Sequence, residues 1–141
     1  MKQDAEAAIT AYYDALRAGE PLSPFFLESL ATVKVSLSER LTGYPDIADE
    51  LSEQSAMTES WTVESSDLSV TARDDYAWFH DDVSMAWTNT KIDADYEFET
   101  RWTGTLEANG TDDTWQFVSL HVSTAAEEVQ NAEDDLFSWD D

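Results

Sequence analysis

The sequence predicts an α+β domain, with helices first and an antiparallel meander after them. Three observations carry that prediction. Ile9, Tyr12, Tyr13 and Leu16 recur at helical spacing and form one apolar face. From Trp61 onward the hydrophobic period changes to two, the spacing of strands with one buried face. Apolar residues make up 42% of the chain and aromatics 12%, too much for an acidic disordered chain and enough for one core. Helices and strands in separate runs favour α+β over alternating βαβ units.

The elements follow in order. Asp4 is suited to cap the first helix, Gly19 to end it, and Pro21 and Pro24 to keep it ended. Phe25-Phe26-Leu27 reads as a short buried turn. Val33, Val35 and Leu37 alternate with Lys34, Ser36 and Ser38, which predicts a strand. Gly43-Tyr44-Pro45 opens a second helix, with Pro45 near its first position. Ile47 and Leu51 face inward there, and Asp46, Asp49, Glu50 and Glu53 are expected in solvent. Residues 61–73 and 76–89 read as long strands joined at Asp74-Asp75. Residues 95–107 and 114–124 form a hairpin, with Asn109-Gly110 as its turn signal. A two-residue turn there pairs Ala108 with Thr111 and sets Phe98 opposite His121. Arg101 then lies on the face opposite to His121, and a loop one residue longer reverses this. The last strand reads as apolar on both faces, with Trp115 and Phe117 on one and Val118, Leu120 and Val122 on the other. Two helices cannot cover both, so a homodimer is expected. Residues 1–124 are read as the domain. Residues 125–141 are read as an acidic tail, whose Phe137 and Trp139 are expected to dock.

Charge bounds the setting. Thirty-one Asp and Glu face seven Lys and Arg, for a net charge of −24. That charge repels itself in dilute buffer and is screened at molar salt. The usage predicts a cytoplasmic protein of an extreme halophile. Without Cys there is no disulfide or thiolate chemistry. The start carries no signal-peptide core, and no apolar run is long enough for a membrane span. No basic patch exists to meet phosphates, so nucleic acid is not an expected partner. Neither a cofactor nor a metal is implied. His80-Asp81-Asp82 and Asp93, Asp95 and Glu97 read as solvated surface, because so many acids cluster by composition alone.

Two motifs point to a family. Glu99-Thr100-Arg101-Trp102 and Trp115-Gln116-Phe117-Val118-Ser119-Leu120-His121-Val122-Ser123 resemble the final hairpin of the association domain of calmodulin-dependent kinase II. With the order of elements, they make the chain similar to the SnoaL-like branch of the nuclear transport factor 2-like superfamily, over about residues 5–124. The resemblance implies a cone: a strongly bent, mostly antiparallel sheet wrapped on a long N-terminal helix, enclosing a pocket and dimerising through the sheet. Ketosteroid isomerase belongs to the same superfamily. Its base would fall near Val35-Ser36 and its protonated acid near Thr100-Arg101, and no carboxylate stands at either place. Only its tyrosine has a match, at Tyr12 or Tyr13, and that mechanism is not carried over.

The expected function is therefore binding of a small molecule in an apolar and aromatic pocket. Arg101, His121, Tyr13 and Trp87 are its expected contacts. Arg101 is the anion-reading group, because a guanidinium binds both oxygens of a carboxylate. The alternatives are a cyclase, isomerase or dehydratase on a small carbonyl or carboxylate compound, with His121 or a Tyr as acid/base, and a homo-oligomerisation module.

Overall fold

The computed structural model describes residues 4–37, 39–108 and 114–125. Helix α1 spans Ala5–Ala18, and Asp4 Oδ1 accepts the Ala7 N–H at 2.7 Å as its N-cap. Such a cap contributes about 1 kcal/mol. Gly19 ends the helix with φ 71, a left-handed conformation that glycine adopts without a Cβ penalty. Its buried face is the predicted one, with Ile9, Tyr12, Tyr13 and Leu16 all inward. A 3₁₀ turn at Ser23–Phe25 follows and seats Phe26 in the core.

Strand β1 (Val33–Val35) and strand β2 (Arg40–Thr42) form a short antiparallel pair ahead of helix α2 (Tyr44–Met57). Helix α2 buries Ile47 and Leu51, as its spacing predicts. Strands β3 (Thr58–Ser65), β4 (Ser69–Ala72), β5 (Tyr76–Asn89), β6 (Ala94–Ala108) and β7 (Trp115–Thr124) complete the sheet. Its order is β2-β1-β7-β6-β5-β3, with β4 also on β5. The pairings are antiparallel except that of β1 on β7, which is parallel. The expected single strand over 61–73 is thus two strands, which use different stretches of β5. Helix α1 packs on β3, β4 and β7, strands from both halves of the sheet. Tyr12 and Tyr13 meet Trp102 of β6 in between, so the sheet wraps the helix.

Two irregularities set which residues face inward. On β7, Ser119 pairs with Thr105 and Phe117 with Leu106, so Val118 has no partner across on β6. This β-bulge reverses the alternation midway. Trp115, Phe117, Leu120 and Val122 therefore all face the core. The two apolar faces expected of this strand do not exist, and the argument for a dimer built on them falls. On β3, Ser60 and Trp61 together oppose Trp87 of β5, and Ser60 takes φ 57.

The inner face is rich in aromatic side chains. Trp102, Phe117 and Phe26 are buried around Tyr12, with each ring edge-on to it. Gly104 is required there. A Cβ on it would come within 2.7 Å of both the Phe79 ring and the Ser119 carbonyl oxygen. Burying each of these side chains contributes about 1.5–3 kcal/mol. The outer face is hydrophilic. Asp95, Glu97, Glu99, Thr103 and Glu107 of β6 are exposed. Ser84 and Thr88 of β5 hydrogen-bond across to Glu99 and Asp95.

Candidate functional site

Among the described residues, two polar pairs bring a charged side chain inside the cone. The first joins α1 to the break between β3 and β4. Tyr13 donates its hydroxyl to Asp81 Oδ2 at 2.8 Å, and the Asp67 N–H donates to Asp81 Oδ1 at 3.0 Å. Asp81 is 2% exposed. The expectation that it is solvated fails, because Asp81 shares the inner face of β5 with Phe79 and Val83. Its carboxylate supplies an acceptor where Ser66 and Asp67 leave the ladder. Burial pushes the Tyr13 hydroxyl up, and its bond to Asp81 and the charge of Asp81 push the same way, against Arg17. Tyr13 is a proton donor at any physiological pH.

The second pair was not legible in the sequence. Lys34 is 5% exposed, and its Nζ lies 3.2 Å from Glu50 Oε1 of α2. On β1 Lys34 points in, and Val33 and Val35 are only half-buried. The cause is a nonlocal pairing. Lys34 is in register with Leu120 of β7, which lies on the inner face, so Lys34 must lie there too. Glu50 likewise is drawn out of the solvated set. Tyr12 is close enough that Glu50 adds to the upward push that burial gives its hydroxyl.

An aromatic wall lies toward the other end of β5 and β6. Trp61 stacks on Trp87 at 4.8 Å, and Trp87 packs on Tyr96 and Phe98. Trp61 Nε1 donates to Thr58 Oγ1 at 2.9 Å, which in turn donates to the Gln54 carbonyl at 2.6 Å. This anchors the indole to the end of α2. Beside it opens a cleft of about 290 Å³ where α1, α2 and β3 meet. Leu16, Leu22, Gln54, Ser55, Ser60 and Trp61 contribute to its lining.

Cleft and Lys34–Glu50 pair are linked by helical repeat. Leu16 is four residues beyond Tyr12 on α1, and Gln54 four beyond Glu50 on α2. Each cleft residue thus sits on the same helix face as the buried one, about one turn or ~5 Å along.

Of the four expected contacts, the structure brings two inward. Tyr13 is buried in the Asp81 pair, and Trp87 is in the aromatic wall. Arg101 and His121 are exposed on the outer face. Arg101 Nε donates to Ser123 Oγ and Nη2 to the Thr124 carbonyl, each at 3.2 Å. Ala108 pairs with Trp115, not Thr111, and with the Val118 bulge this sets His121 opposite Thr103. Arg101 and His121 therefore share one face, and it is not that of the cleft. The Asn109-Gly110 turn lies outside the described residues, as do Phe137 and Trp139. Among the described residues, no three His, Asp or Glu side chains are grouped to hold a metal ion, and no helix is long and apolar enough to cross a membrane.

Comparison with known proteins agrees with the geometry. A candidate dehydratase of the nuclear transport factor 2-like family from Streptomyces avermitilis superposes with a TM-score of 0.74 at 19% identity, over 85% of this chain and 93% of that one. A candidate scytalone dehydratase from Novosphingobium aromaticivorans gives 0.73 at 17%, over 85% and 80%. A candidate calcium/calmodulin-dependent kinase II association domain from Xanthomonas campestris gives 0.70 at 17%, over 86% of each chain. At these identities the likeness is one of fold. No curated protein matches the sequence. The SnoaL-like domain profile matches residues 5–127, and this makes the chain a member of the SnoaL-like family.

Proposed function

We propose that this SnoaL-like chain binds a small apolar or aromatic molecule in the cleft between the ends of α1 and α2. The observation that carries the reading is the cleft itself, about 290 Å³ with Trp61 in its wall and the buried Leu16 and Leu22 in its lining. That volume is at the lower end for small-molecule sites, and its lining sets Leu16, Leu22 and Trp61 beside the polar Arg17, Glu20, Gln54 and Glu59. The high net negative charge supports work at high ionic strength, and we place the protein in the cytoplasm on the same grounds of composition. A homodimer remains part of the proposal on the likeness to association domains alone.

Indole and benzamide are suitable neutral probes. Titration at molar KCl should shift the indole N–H resonance of Trp61, identified with Trp61→Phe, more than those of the other five tryptophans. Ser55→Trp, a filled cleft mouth, should abolish the shift and keep the fold. Equal small shifts at all six indoles would end the reading.

A second reading is an enzyme of the dehydratase, cyclase or isomerase type. It is favoured by the two buried pairs, Tyr13–Asp81 and Lys34–Glu50. His121, exposed on the outer face, is no part of it. Tyr13 would be its proton donor.

A further inference from the structure

The sequence pointed to Arg101 as the cation that reads a ligand's charge. Arg101 is on the wrong side of the sheet for that. Lys34 is the ammonium that lies inside, and its surroundings are unusual for a structural ion pair. It is nine-tenths buried, and among the described residues its Nζ donates to Glu50 Oε1 at 3.2 Å. An ammonium carries three N–H donors. The two members are also unequally held. The Lys34 side chain is 6% exposed and that of Glu50 is 20% exposed. Glu50 sits on the helix face that continues to Gln54 and the cleft, and it is the more exposed of the two. Tyr12 beside the pair keeps its proton and can donate to a second acceptor.

We propose that Lys34 is the anion-reading group of the cleft: a small ligand's carboxylate enters between Leu16 and Gln54 and takes the place of the Glu50 carboxylate on the buried ammonium. The inference rests on the reading that the cleft takes a small molecule, and adds its chemical class, a monocarboxylate with an aromatic or short apolar body. Exchange of one carboxylate for another leaves the ammonium paired throughout, so no isolated charge is ever buried. Glu50 holds the place until the ligand arrives. The body of the ligand stays in the cleft against Trp61, whose ring the Thr58 hydroxyl anchors.

The test pairs benzoate with benzamide, which has the same ring and no charge, in the full-length chain at constant molar KCl. Trp61 N–H shifts and melting temperature are the readouts. Benzoate should bind the wild type about tenfold or more tightly than benzamide, the margin of a charge-assisted hydrogen bond in a buried site. Lys34→Met keeps the stem and removes the charge, and should bring benzoate down to the level of benzamide. Glu50→Gln removes the resident carboxylate. It should tighten benzoate several-fold, enlarge the rise in melting temperature that benzoate gives, and leave benzamide unaltered. A merely structural pair predicts the contrary: both variants lose stability and neither changes the preference. If benzamide binds and benzoate binds no better, Lys34 is not a reader, although the cleft stands. If neither probe moves Trp61, the cleft reading fails and takes this one with it. Should Lys34→Met not fold, Glu50→Gln decides, and unchanged or weaker benzoate binding to it overturns the proposal.

Discussion

The two faces of the sheet treat the same chemistry in opposite ways. On the outer face, Arg101 leans on a serine hydroxyl and a carbonyl, and Glu99 accepts from Ser84 across the ladder, all in contact with water. On the inner face, Lys34 and Asp81 are dry, and each is matched to a specific partner from a helix. A charged residue in a strand is therefore not informative by its type. Arg101 and Lys34 are both mid-strand cations flanked by alternating residues. One is surface and the other is core, and the difference lies in the neighbouring strand.

The sharpest way to break this comparison is to remove salt. The outer face carries Glu97, Glu99, Asp82, Asp95 and Glu107, with few cations among them. Dilute buffer should lengthen the reach of their repulsion and loosen or unfold the whole chain, and molar KCl should restore it. Circular dichroism along a salt titration reads this out. Equal melting temperatures at tens of millimolar and at molar salt would mean the outer charges do not matter to stability.

Next in size is the inner face. Trp102→Ala should cost about 3–5 kcal/mol, because it empties the centre of the ring cluster around Tyr12 and Tyr13. Urea denaturation at high salt measures it. Asp81→Ala should cost about 1–3 kcal/mol, since it leaves the Tyr13 hydroxyl and the Asp67 N–H without their acceptor. If Asp81→Ala proves neutral, water has replaced the carboxylate and the break between β3 and β4 is wetter than its burial implies.

Alkaline pH sharpens the comparison further. Tyr12 and Tyr13 are held protonated in the fold, by burial above all. In the unfolded chain they ionise near pH 10. Their contribution is fully present below that pH. It is lost as pH rises above it, because the unfolded chain releases protons that the fold retains. Stability should fall progressively above about pH 10, and Tyr13→Phe should flatten that fall. The smallest effect belongs to the outer face: Arg101→Met should change stability by no more than about 0.5 kcal/mol, and benzoate binding not at all.

What was legible in the sequence was local. The caps of α1, the inward faces of both helices, the proline at the start of α2, and the strands of the last hairpin follow from spacings within a few residues. What was not legible depends on partners far along the chain. The facing of β1 is fixed by a parallel pairing with residues 119–121, and three residues alternate equally well in either direction. The break at residues 66–68 depends on a carboxylate fourteen residues later in sequence, Asp81, whose partners come from α1 and from the loop itself. The bulge at Val118 has no signal in a run of valines, serines and leucines, and it moved Arg101 and His121 onto one face. The family motifs identified the fold, and they could not say which side of the strand Arg101 occupies.

The Val118 bulge has a consequence for the shape of the cone. The strand carries two apolar pairs, Trp115 with Phe117 and Leu120 with Val122, held in phase by one unpaired residue. Deleting that single residue would leave Trp115, Phe117, Leu120 and Val122 on strictly alternate positions, all four still inward, and would remove the bend that the bulge puts into the strand. The extra valine thus changes the curvature of the last strand and not the identity of the side chains it buries.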